Sequence, residues 1–185
     1  MRLFETEEEV RRVSALTTPT GPVGVFPFLD VAVKDLLAHD LIVLLHGVQD
    51  PGNVGTVIRS AHAFGAGVAL SGGCADLYNP KTVRATMGSL FHAPVAREVE
   101  SVEFLVRSAE AGFATIAAVP EGGEGPSSLP GGSVILAVGA EGSGLPPEVV
   151  EGCGRRVTVP SRAASLNAAV AASILLYEAH MRVLG

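Results

Sequence analysis

Tryptophan is absent from this chain and aromatic residues make up only 5% of it, so any core must be built from Val, Leu, Ile and Ala. Cysteine is nearly absent too. Cys74 and Cys153 stand alone, without the paired spacing of a zinc site or the density of a disulfide framework, and point to a reduced, cytoplasmic setting. No apolar run reaches the ~18 residues of a membrane span, and no basic-then-apolar leader opens the chain. A basic excess is also missing. The net charge is −6, against the usual balance of a nucleic-acid binder, with acids gathered over 5–9. Arg59, Lys81, Arg84, Arg155, Arg156 and Arg162 lie near glycine-rich turns, which leaves room for a locally basic site on an acidic body.

Several catalytic signatures are lacking as well. There is no GxGxxG and no GxxxxGK[ST], so a nicotinamide or nucleoside-triphosphate site loses its main support. Without HExxH, a Cys/His cluster or a GxSxG elbow, metal hydrolysis and ordinary serine-hydrolase chemistry have no carriers, and no metal is expected.

What is present centres on LIVLLHGVQDPGNVGTVIRSAHAFGA, residues 41–66. The run 41–45 reads as a strand buried on both faces, emptying into an Asp-Pro-Gly-Asn turn. Asn53 reads as the N-cap of a helix carrying Val54, Ile58, Ala61 and Gly65 at helical spacing. Arg59, one turn beyond Gly55 and Thr56, is either a solvated surface cation or a group that meets a phosphate at a bare helix start.

Elsewhere the chain alternates. A short helix with acids in its first turn carries Val10, Val13 and Leu16, followed by a hinge over 17–22. Strands are expected over 24–29, 67–70, 94–99, 114–119, 134–138 and 155–159. Helical stretches are expected over 31–38, from Pro80 to Leu90, from a Ser101 cap to Ala111, and over 166–184. The stretch 121–132 is too rich in Gly and Pro to be anything but loop. This order predicts an α/β fold with a parallel sheet flanked by helices.

Three clusters, DPGNVGTVIR, GAEGSGL and SLNAAVAASILLYE, each follow an apolar strand, so a parallel sheet would gather them at one edge. Gly139, Gly142 and Gly144 allow backbone to approach a ligand. Glu141 is either a loop acid or a site residue, and Ser165 either the cap of the last helix or part of the site. Asn167 is a second amide at the start of an apolar helix and needs partners. His46 and His62 flank the first cluster and read as structural residues.

In this order the clusters resemble the three motifs of the SpoU/TrmH family of RNA ribose 2′-O-methyltransferases, of the SPOUT superfamily. The resemblance covers about 41–183, as VQDPGNVGTVIRSAHAFGA, VILAVGAEGSGL and SLNAAVAASILLYE. It implies a C-terminal deep trefoil knot, a homodimer, S-adenosylmethionine as methyl donor, and RNA as substrate, ribosomal RNA ahead of transfer RNA. An inactive RNA-binding protein of the same fold is the alternative. Val119, Gly139, Gly144, Val159 and Leu166 match donor-contacting positions. Asn53, Arg59, Glu141, Ser165 and Asn167 match the polar positions of catalysis and RNA placement. The third-motif loop VPSRAASL is shorter than usual in the family, with Ala164 where an acid is common. Residues 1–29 resemble the last piece, or the linker, of an N-terminal RNA-binding domain, and 30–185 the methyltransferase domain.

Overall fold

A computed structural model describes residues 2–14, 17–18, 21–163 and 165–184. Among the described residues, eight strands and seven α-helices follow one another: β1 (Arg2–Phe4), α1 (Glu7–Val13), β2 (Val23–Val25), α2 (Val33–Leu36), β3 (Leu41–His46), α3 (Pro51–Ala63), β4 (Gly67–Ser71), α4 (Pro80–Ala85), β5 (Val95–Val99), α5 (Ser101–Glu110), β6 (Ala114–Ala118), β7 (Val134–Gly139), α6 (Pro147–Glu151), β8 (Arg155–Val157) and α7 (Ala168–Leu184). Six strands form one sheet in the order β5-β4-β3-β7-β6-β8, parallel throughout, and β1 and β2 pair antiparallel beside it.

The central strand β3 explains the two-sided core. Its side chains alternate between faces, and all from Leu41 to Leu45 are buried. Leu41, Val43 and Leu45 pack with Val54, Ile58, Leu175 and Leu176 of α3 and α7. Ile42 and Leu44 join Leu36, Phe104, Leu105 and Val149 of α2, α5 and α6. Each fully buried Leu or Ile contributes about 1.5–3 kcal/mol.

Strand order runs outward from β3 in one direction (β4, β5) and is resumed on its other side by β7, β6 and β8. The adjacent C-terminal ends of β3 and β7 therefore form a switch point, where open α/β sheets keep their ligands. Two close contacts fix the helices there. A Cβ on Gly55 would collide with Ala85 and the Thr82 carbonyl, so only glycine lets α3 lie this near α4. The hydroxyls of Ser60 on α3 and Ser173 on α7 are 2.7 Å apart.

Several expected boundaries move. The cap of α3 is Asp50, not Asn53: its carboxylate accepts the Asn53 N–H at 2.8 Å, with Pro51 at the first helical position. The helix expected from Pro80 to Leu90 ends at Ala85, because Met87 (φ 49°) and Gly88 (φ 87°) turn left-handed before a 3-10 turn at Ser89–Phe91. Ser101 is not a cap either. Glu100 precedes α5, and Ser101 Oγ lies 2.8 Å from His46 Nδ1. The strand expected over 24–29 is Val23–Val25, and that over 155–159 stops at Val157. Thr6 and Glu9 form a reciprocal capping box on α1. Leu16 and part of the 17–22 hinge lie outside the described residues. Among the described residues no helix is long and apolar enough to cross a membrane.

Candidate active site

The three clusters meet. Asn53 in the first turn of α3, Glu141 in the turn after β7 and Asn167 at the start of α7 form one hydrogen-bonded network. Glu141 Oε1 accepts from Asn53 Nδ2 at 2.9 Å, from Asn167 Nδ2, and from the Ala168 N–H at 3.3 Å. Asn167 Nδ2 also donates to Asn53 Oδ1 at 3.0 Å.

Asn167 has a second duty. Its Oδ1 accepts the N–H groups of Ala169 at 3.0 Å and Val170 at 3.1 Å, which makes it the N-cap of α7, the role left open for Ser165. One amide thus caps a helix with its oxygen and grips a carboxylate with its nitrogen. The carboxylate in turn sits at the N-terminal ends of two helices, where their dipoles favour negative charge. This explains why Asn53 is at the third position of α3 rather than its cap: the cap is taken by Asp50, and the amide is free to face β7.

Beside the network lies a cavity of about 710 Å³, within the range of small-ligand sites of about 300–1,000 Å³. Val119, Gly139, Gly144, Val159 and Leu166 all line it, together with Glu141 and Ser165. Its walls are turns. A Cβ on Gly139 would overlap the Gly144 carbonyl group and the Leu145 nitrogen, so the strand end and the following turn touch backbone to backbone. That turn closes by a Gly144 N–H to Ala140 C=O bond of 2.9 Å, with Gly142 (φ 85°) and Gly144 (φ 67°) both left-handed. Across the cavity, Gly123 is pressed on the backbone of Val157 and Thr158, and its N–H donates to Thr158 Oγ1 at 2.9 Å. Such walls leave backbone N–H and C=O groups available to a ligand where side chains are absent. Ala164 lies outside the described residues.

Arg59 stands apart from the network. It is exposed on α3, one turn beyond Gly55, and makes no hydrogen bond or ion pair among the described residues. Of the other basic residues near the turns, Arg155 is paired with Glu124 at 2.5 Å, whereas Lys81 and Arg84 on α4 are exposed without an ion pair among the described residues. His46 and His62 are structural: His46 bonds Ser101, and His62 lies 3.2 Å from Ser89 Oγ and stacks on His92. Among the described residues no group of three or more His, Cys, Asp or Glu could hold a metal.

A cluster that sequence reasoning missed sits at the far edge of the sheet. Tyr78 O–H donates to Asp30 Oδ1 at 2.6 Å and accepts the N–H groups of Leu29 and Asp30. Arg97 reaches Asp30 Oδ2 at 3.2 Å. The Tyr78 hydroxyl, then Arg97, hold the Asp30 carboxyl below its ordinary range, while burial and the Asp30 carboxylate push the Tyr78 phenol up. These residues are scattered over the chain and share no motif.

Comparison with known proteins agrees with the geometry. The chain is 35% identical to the 23S rRNA (guanosine(2553)-2′-O)-methyltransferase RlmP of Bacillus subtilis, over 91% of this chain and 68% of that one. It is 34% identical to a 23S rRNA (uridine(2479)-2′-O)-methyltransferase of Streptomyces viridochromogenes, over 93% and 67%. An AdoMet-bound rRNA methyltransferase from Sinorhizobium meliloti superposes with a TM-score of 0.84 at 34% identity, covering 97% of this chain and 71% of that one. The SpoU rRNA Methylase family matches residues 40–177, from the strand before the first motif to the middle of α7, and the chain belongs to that family.

Proposed function

We propose that the protein transfers a methyl group from S-adenosylmethionine to a ribose 2′-hydroxyl of RNA, with ribosomal RNA the favoured substrate. The observation that carries this reading is the junction of a backbone-walled cavity with the Asn53–Glu141–Asn167 network. Relatives named as 23S rRNA 2′-O-methyltransferases support the substrate class.

Bound in the cavity, S-adenosylmethionine would supply the methyl group and leave as S-adenosylhomocysteine, with the 2′-hydroxyl proton released to solvent. The protein's own task is alignment, which by itself is worth ~7–11 kcal/mol when reacting atoms are held in near-attack geometry. Val119, Gly139, Gly144, Val159 and Leu166 would hold the donor. Asn53 and Asn167 fix the Glu141 carboxylate between two helix starts, and so fix the relative positions of the β3 and β7 turns; they act as positioning residues. Ser165, exposed at the cavity wall, presents a hydroxyl to the incoming ribose. Arg59 would hold the target phosphate or the 2′-oxygen. A guanidinium stays protonated in a protein, so its contribution is charge stabilisation rather than proton removal.

Four further readings go with this one. The chain after β8 threads a loop as a trefoil knot; in support, β8 is at the sheet edge while α7 packs on α3 and on β3 in the middle of the sheet. The protein is a homodimer; in support, Val170, Tyr177 and Met181 leave an apolar strip of α7 about half exposed. It works in the cytoplasm, consistent with two free thiols. Residues 30–185 are the catalytic domain and 1–29 an appended segment; in support, among the described residues β1 and β2 pair with each other and not with the six-stranded sheet.

The test is to incubate the purified protein with methyl-labelled S-adenosylmethionine and unmodified ribosomal RNA, then digest the RNA to nucleosides. Label in a 2′-O-methylated nucleoside is expected. Label in a methylated base, or none with either ribosomal or transfer RNA, overturns the reading.

A further inference from the structure

We propose that the open face of Phe28 is a stacking platform for an unpaired base of the RNA strand that enters the site, an inference that rests on the RNA-methyltransferase reading above. Phe28 is 73% exposed, yet its ring is not loose. It lies on Tyr78, with centroids 4.5 Å apart and 28° between the planes. Tyr78 is itself locked, its hydroxyl bonded to the Leu29 and Asp30 N–H groups at 2.6 and 2.9 Å and to Asp30 Oδ1 at 2.6 Å. The Arg97 guanidinium carbon is 5.3 Å from the Phe28 centroid and 5.0 Å from that of Tyr78. Its Nε is buried without a hydrogen-bond partner among the described residues.

The result is an aromatic face with one side backed and the other bare, steadied by a cation. An ordinary surface phenylalanine gains only packing from such support. A ring that must receive a second ring gains more, because preorganisation removes the cost of ordering it. Nucleobases are the ligand class with a flat π-face and an attached negative charge, and only unpaired bases offer that face.

The surroundings supply the charge. Two residues after Tyr78 begins α4, whose Lys81 and Arg84 are exposed without an ion pair among the described residues. The same helix touches Gly55, in the first turns of α3, through Thr82 and Ala85. A strand stacked on Phe28 would therefore pass free cations before it reaches Asn53 and the cavity. The carboxylate of Asp30, which would repel it, is already engaged by Tyr78 and Arg97.

The chain has no tryptophan, so Phe28→Trp puts a single fluorophore on the platform. Oligoadenylate is expected to quench its emission, and the same strand paired with oligouridylate is not. In the otherwise unaltered protein, Phe28→Ala is expected to weaken oligoadenylate binding about tenfold, as base–aromatic stacking of about that strength predicts, and to raise KM for ribosomal RNA with kcat unchanged. S-adenosylmethionine affinity and thermal midpoint should stay as in the wild type. Absence of quenching, or equal oligoadenylate binding by wild type and Phe28→Ala, overturns the platform. If the wild type does not bind S-adenosylmethionine, it is the methyltransferase reading that fails, and the two failures are separable.

Discussion

On the β7–β6–β8 side, the C-terminal end of the sheet opens on a cavity walled by backbone; the opposite edge, at β5, carries a stack of side chains. Gly139, Gly142 and Gly144 bring peptide groups together where a Cβ has no room or no allowed conformation. Phe28, Tyr78, Arg97 and Asp30 meet instead through rings and charges, on backbone of ordinary conformation. Between the two lies Asn53–Glu141–Asn167, made of side chains but anchored on helix starts. A ligand that must be gripped at every rotation, such as a small donor, suits the first construction. A long flexible polymer suits the second, because each contact is separable. The two sides should therefore respond differently to substitution.

The largest effect is expected at Gly139. Gly139→Ala forces apart the Gly144–Leu145 backbone, overpacking that costs about 1–3 kcal/mol, and should abolish donor binding by calorimetry. Val159→Ala on the same wall only shortens a side chain and should leave donor affinity within about twentyfold, since the two methylene equivalents it loses are worth about 0.8 kcal/mol each. If the two behave alike, the wall is not built of backbone.

Arg59→Ala comes next. The methylation rate should fall about 10²–10³-fold, the usual loss on removing one charge-stabilising donor, while S-adenosylmethionine affinity is retained. Loss of donor affinity instead would move Arg59 into the donor cavity.

Asn167→Ala removes a cap, worth about 1 kcal/mol, and releases Glu141. A lower unfolding midpoint in urea should accompany reduced turnover, whereas Asn167→Ser keeps an uncharged cap without the amide nitrogen and should restore stability without activity. Equal recovery of both by the serine would show that only the cap matters.

A smaller effect concerns acid stability at the side-chain stack. Asp30 has its folded pKa lowered, first by Tyr78 and then by Arg97. Its contribution is therefore complete above the unfolded value of about 3.9 and is lost as pH falls through the lower folded value. Asp30→Asn should flatten the acid limb of stability against pH below about 4, by no more than about 1 kcal/mol for so open a pair. An unchanged limb would deny the stack its electrostatic support. The smallest change is expected at the thiols. Burial pushes Cys153 up to about 12 and Cys74 up as well, so neither should react quickly with a thiol reagent at pH 8 until the protein unfolds.

The backbone-built side was legible because its construction demands particular residues. Glycine clusters after apolar strands predicted the turns, and the parallel arrangement brought Asn53, Glu141 and Asn167 to one edge. Which atom did what was not legible. Asp50 and Asn53 are both good caps, and only the position of β7 decides that Asn53 is free to bind Glu141. The break in the helix after Ala85 was hidden for a similar reason: Met87 is a fair helix former, and nothing in its side chain marks the left-handed conformation it adopts before Gly88. The side-chain stack left no pattern at all. Phe28 and Tyr78 come from two connecting segments and Arg97 from β5, and only the completed sheet edge joins them.

The most direct test of the account is a calorimetric titration of the purified protein with S-adenosylmethionine, with NAD as control. Saturable binding at one site per chain, absent in Gly139→Ala and with no heat from NAD, is the predicted result. No binding of S-adenosylmethionine by the wild type, or binding that survives Gly139→Ala unchanged, would contradict a donor site built from the backbone of these turns.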